Sequence, residues 1–261
     1  MNPPSAGSAA ATGDFAAADP VKRDAALDYL RSFLIVLVVF LHAALPYTGF
    51  AYFHYAHYIQ STAPVVDDAR WPLLDPLVRT VDTFFMNLLF LISGVFAAAS
   101  LRRRGSGGYI RERARRLGIP FLIGILALMP LAFWTSYLQA GIGPAFAFWG
   151  RAFTVDGWQT GPVWFLWMLL AFDIIVALCY RYLPGFLGRL DRRPSLMVFF
   201  LIAIAAFLIP FMVVSPYWWL SLSFIDMMPA RVPFYFAFFV MGIAFGSDRE
   251  WWTWTRWTSR A

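Results

Sequence analysis

The chain has 261 residues, 60% of them hydrophobic and 19% aromatic, with a mean hydropathy of +0.62 and a formal net charge of +6. So apolar a composition excludes an ordinary soluble domain, in which roughly half the residues are apolar, and calls for several membrane-crossing segments. The single cysteine, Cys179, excludes a disulfide framework, and because Lys22 is the only lysine the positive charge is arginine gathered between apolar runs, a pattern of topology and anionic lipid with no sign of nucleic-acid binding.

Residues 1–22, rich in Ala, Gly, Ser and Pro, lack the aliphatic mass to fold and read as a disordered tail. Lys22 and Arg23 then precede an apolar run that carries Arg31 and His42 and continues to spanning length, so it reads as an uncleaved first helix and not as a secretory signal. Six stretches reach or approach the ~20 residues a spanning helix needs. They are Tyr29 to Tyr47, Val81 to Leu101, Leu117 to Leu138, Val163 to Tyr182, Leu196 to Val214, and Val232 to Gly246. The expected architecture is an all-α polytopic membrane helix bundle with about six transmembrane helices. Residues 23–250 form its one membrane domain, and 251–261 make an interfacial end rich in Trp, Thr and Arg.

Sorting Lys and Arg by alternate connector gives seventeen on one side and four, Arg70, Arg79, Arg151 and Arg231, on the other. By the positive-inside rule both termini are expected in the cytoplasm, with 48–80, 139–162 and 215–231 facing outward.

Within the first stretch, His42 lies eleven positions after Arg31. At ~100° and ~1.5 Å per residue both fall on one helical face, roughly 16 Å apart, with Arg31 at an interface and His42 near the midplane. His42 has two readings: an interhelical hydrogen-bonding group, or a base that takes a proton from an acceptor hydroxyl. Arg31 either snorkels to the interface or assists His42, and Asp28 either pairs with it or favours the helix start. The second stretch holds Asp82, Asn87 and Ser93-Gly94, small and polar residues suited to close helix packing. The segment Arg102 to Arg116 reads as a loop with a Gly-Ser-Gly-Gly break, and its seven arginines face one Glu112. It serves topology and anionic headgroups, or it grips the phosphates of a cytosolic ligand. Asp173, halfway through the fourth stretch, is a deep acid without an evident partner. His54 and His57 have a helical metal-binding spacing but no further ligands nearby, so no metal is expected. Trp164 to Trp167 reads as an aromatic belt and helix start after Pro162.

Four of these pieces, in this order, resemble the acyltransferase family 3 membrane proteins, nearest to the glucan-modifying succinyltransferase-like branch. In LDYLRSFLIVLVVFLHA, Arg31 and His42 fit the family's pattern of Arg, ten residues, His. FFMNLLFLISGVF is similar to its aromatic Ser-Gly helix, with Ser93 and Gly94 in place. YIRERARRLGIPFL resembles its basic entry to the third span, with Arg113 and Arg116 on the matching arginines, and GPVWFLWMLL resembles its Trp-Phe-Leu segment. The resemblance implies a bacterial inner-membrane O-acyltransferase that moves an acetyl or succinyl group from cytosolic acyl-CoA to a hydroxyl of an envelope glycan or similar acceptor, with no bound cofactor. It implies His42 as catalytic base, Arg31 assisting it or holding the donor, Arg113 and Arg116 on the CoA phosphates, and Ser93 at the donor site. Members usually carry around ten spans, so a chain with about six is expected to be a C-terminally truncated or unusually short member. Two other classes fit the deep polar residues: a multi-pass transporter built around His42, Asn87 and Asp173, and an inactive remnant.

Overall fold

The computed structural model describes residues 25–154, 156–158, 160–190, 195–215, 218–222 and 225–247; the expected tail and the expected interfacial end lie outside them. With no water in hydrocarbon to satisfy backbone groups, apolar runs must bond internally, and each of the six stretches lies within helix. The first forms α1 (Ala25–Ala44). The second and third belong to one helical run, α2 (Leu74–Arg113), α3 (Ile119–Ile123) and α4 (Met129–Ala140), joined by π-helical turns at Ala114–Gly118 and Gly124–Leu128. A short α5 (Ala147–Arg151) follows, then α6 (Trp164–Tyr182), α7 (Phe186–Leu190) and α8 (Leu196–Val213). A hairpin of β1 (Leu220–Leu222) and β2 (Ile225–Met227) leads into α9 (Val232–Ser247).

Among the described residues four helices are long and apolar enough to cross a membrane, where about six were expected. The difference has two causes. The second and third stretches share the run Leu74–Ala140, and Met197–Val213 is apolar but short. The arginine segment 102–116 is likewise not a loop but helix, broken at one residue: Gly105 (φ 66°, ψ 173°) takes a conformation that only glycine adopts readily. The chain reverses there. Phe90, before the break, and Tyr109, after it, reach adjacent residues of α6, Phe172 and Asp173. Past the break, Gly118 lies beside Leu170 and Gly124 beside Val163, so this arm runs antiparallel to α6. Its π turns each lead into a proline, Pro120 and Pro130, whose ring and missing N–H disturb the preceding turn. Gly141, in the left-handed region (φ 64°), ends α4.

The remaining pairings follow from named contacts. Arg31 stacks on Phe96 while the Gly49 N–H donates to Asp75, so α1 runs antiparallel to α2. Phe199 meets Phe238 and Phe207 meets Phe234, so α8 runs antiparallel to α9. Helices α2 and α9 are parallel and very close. A Cβ on Gly94 would overlap the Phe239 carbonyl, one on Gly242 the Leu91 carbonyl, and one on Gly246 the Val95 carbonyl. Gly242 and Gly246 make a G-x-x-x-G pair, the spacing that lets membrane helices approach backbone to backbone. The spans therefore alternate in direction. The Arg102 to Arg116 segment, Arg181 and Arg189 gather at one end of the bundle, and Arg70, Arg79, Arg151 and Arg231 at the other. At that second end the loop after α1 packs on α4 and α5 through Tyr58, Tyr137 and Phe148, whose rings lie 5.4 to 6.4 Å apart. There Asp156 accepts from the Tyr58 hydroxyl at 3.0 Å and pairs with Arg151 at 3.0 Å.

Candidate active site

His42 occupies the last turn of α1 and is half-buried. In the spanning segment Leu27–Tyr47 it lies five residues past the centre, roughly 7 Å beyond the expected midplane position and toward the Tyr47 end. Its Nδ1 lies 2.8 Å from the Val38 carbonyl oxygen. A carbonyl only accepts, so Nδ1 carries the proton, and in the neutral ring Nε2 is left with a free lone pair. The α1 backbone thus fixes both ring orientation and tautomer, leaving a base.

Arg31 is exposed, with its guanidinium 5.4 Å from the Phe96 ring centre. It sits toward the arginine-rich end while His42 lies toward the other, so the two share a face without meeting. The α1–α2 register that matches Arg31 with Phe96 and Gly49 with Asp75 brings His42 about level with Asp82. Asp82 accepts from Arg231 Nη1 at 3.2 Å, a pairing that the sequence alone left unseen.

The sequence-predicted arginines go to different partners. Arg113 Nε lies 3.3 Å from Asp173 Oδ2, and its guanidinium stacks 5.1 Å from the Tyr109 ring centre. Tyr109 donates its hydroxyl to the other carboxylate oxygen, Oδ1. The acid that lacked a partner in the sequence therefore has two, both from the arm after Gly105. Tyr109 was missed by the sequence reading, although its place one helical turn before Arg113 was the available signal. Asp173 is wholly buried and Arg113 half-buried, so the carboxylate is paired at the inner end of a guanidinium that keeps some exposure. Arg116 projects outward and pairs with Glu112, which also holds Arg104 at 3.3 Å. Arg103, Arg111 and Arg115 are exposed, and no ion pair involving them is found among the described residues. Ser93 is half-buried, next to the Gly94 contact with α9. Trp164 begins α6 two residues after Pro162, a helix start where one was expected, and its ring lies 5.9 Å from Tyr235 of α9. His54 and His57 lie in the loop after α1, where the His57 N–H donates to His54 Nδ1.

Alternating apolar helices, with arginines massed at one end, define an all-α membrane helical protein. The chain belongs to the family described as an acyltransferase domain, Acyl_transf_3, whose model matches residues 24–261. No curated protein and no solved structure matches it.

Proposed function

We propose that this protein is an O-acyltransferase that takes an acetyl or succinyl group from acyl-CoA on the arginine-rich side and places it on a hydroxyl of an envelope glycan or similar acceptor. The arginine-rich side is read as cytoplasmic, with both termini there and the lipid bilayer a bacterial inner membrane. The observation that carries the reading is the His42 Nδ1 to Val38 bond, which leaves Nε2 unprotonated in the neutral ring. As the acceptor oxygen bonds to the thioester carbonyl carbon, its proton passes to Nε2; collapse of the tetrahedral intermediate breaks the C–S bond, and the departing CoA thiolate takes the proton back. Arg31, some 16 Å along α1 toward the donor side, supports the arriving donor by charge and does not act on the imidazole directly. Arg113 and Arg116 are assigned to the CoA phosphates, with Ser93 beside the donor path, and the exposed Arg103, Arg111 and Arg115 raise the local attraction for anions.

The test is incorporation of labelled acetyl- or succinyl-CoA into glycan by membranes carrying wild type or His42→Ala at matched levels. Wild type labels and the variant loses about 10²-fold or more. Equal labelling by both would remove His42 from the chemistry.

A further inference from the structure

We infer that Asp173 and Tyr109 are positioning residues for the donor: they hold the Arg113 guanidinium so that its two terminal nitrogens grip a phosphate of acyl-CoA. This inference rests on the acyl-CoA reading above and adds to it the residues that make one arginine of the cluster unlike the others.

Three observations support it. Asp173 Oδ2 faces Arg113 at Nε, 3.3 Å away, as an ion pair and not a hydrogen bond, so the carboxylate does not take the fork of terminal nitrogens, the edge that matches a phosphate in bidentate fashion. Tyr109 fixes both partners at once, since its hydroxyl holds the Asp173 carboxylate while its ring lies against the guanidinium plane. The rotational freedom that an arginine on the surface would lose on binding is therefore already lost. Third, the residue after Arg113 opens a π-helical turn, Ala114–Gly118, a distortion that helices often carry at functional sites. The Arg113 side chain keeps 18% of its surface exposed, and the exposed Arg103, Arg111 and Arg115 of the same segment add positive field around it. Arg116, bound to Glu112 on an exposed face, lacks any such support.

The experiment uses the full chain in nanodiscs of neutral lipid and compares two donors, acetyl-CoA and acetyl-pantetheine, which carries the same thioester without the nucleotide phosphates. Tyr109→Phe and Asp173→Asn are expected to raise KM for acetyl-CoA about tenfold with kcat nearly unchanged, and to leave KM for acetyl-pantetheine alone. Asp173→Glu restores part of the loss. In an Arg113→Lys background, which keeps the charge but not the fork, Tyr109→Phe adds nothing further. Should the variants lose kcat for both donors alike, or add in full to Arg113→Lys, the two residues are merely structural and the inference falls. If the effect on KM needs anionic lipid in the disc, the phosphate belongs to a headgroup and the inference also falls. A wild type that transfers from neither donor would overturn the acyltransferase reading itself, whereas normal transfer with unaltered KM in both variants would overturn only this step.

Discussion

Gly94 of α2 and Phe239 of α9 touch backbone to backbone: the Gly94 Cα faces the Phe239 carbonyl with no room for a methyl group between them. Repeated at Gly242 and Gly246, this contact fuses the second and last spans into one unit against which α6 packs through Phe172, Phe236 and Phe239.

Gly94→Ala should therefore push the helices apart and destabilise the bundle by ~1–3 kcal/mol, the usual range for overpacking. Gly150, which has open space around it, tolerates alanine with no comparable loss. Unfolding of the two variants in mixed micelles gives the comparison, and equal stability would contradict the close approach.

Gly105 has ample space but a backbone conformation closed to other residues. Gly105→Ala is expected to cost ~1–3 kcal/mol through strain alone. Because the reversal carries Tyr109 and Arg113 to α6, the variant should also open that contact, visible as faster hydrogen exchange around 106–113. Unaltered exchange would show that the reversal does not depend on this residue.

The arginines assigned to donor phosphates should separate in stability. Arg113→Ala strands the wholly buried Asp173 and should cost about 3 kcal/mol or more. Arg116→Ala removes an exposed pair with Glu112 and should change stability by ~0.5 kcal/mol or less. Thermal unfolding of both in the absence of donor decides the point, and similar losses would place Arg113 in a far more solvated setting.

Tyr58 ties the loop after α1 to Asp156. Burial, followed by the neighbouring Asp156 carboxylate, pushes its hydroxyl above the ordinary tyrosine value. A raised value means that the folded chain holds this proton more tightly than the unfolded chain. The resulting stability is complete below about pH 10 and declines as pH rises beyond it. Tyr58→Phe should lose ~1.5–3 kcal/mol at neutral pH, as expected for a hydrogen bond to a carboxylate, and should show less of the alkaline decline. Stability measured across pH 8 to 12 checks the sign. A wild type that gains stability above pH 10 would refute it.

Where helices form was legible in the residues alone. Hydropathy acts locally, and a backbone in hydrocarbon has no partner but itself, so each apolar stretch became helix and Trp164 began one just after Pro162. The arginine count likewise foretold the asymmetry between the two ends. Tertiary structure alone decided which polar groups meet. Arg113 and Asp173 lie sixty residues apart, and nothing in a run of apolar residues states which azimuth of α6 will face the arm after Gly105; that depends on the reversal at one glycine and on the glycine seam between α2 and α9. The arginine segment looked like a loop because its Gly-Ser-Gly-Gly run has low helix propensity, yet the helix is broken only at Gly105, and the residues just after the run, Tyr109 and Arg113, are held on α6. For His42 the helix and its face were legible in the residues, and the Val38 carbonyl four residues back, a partner every such helix offers, set the tautomer.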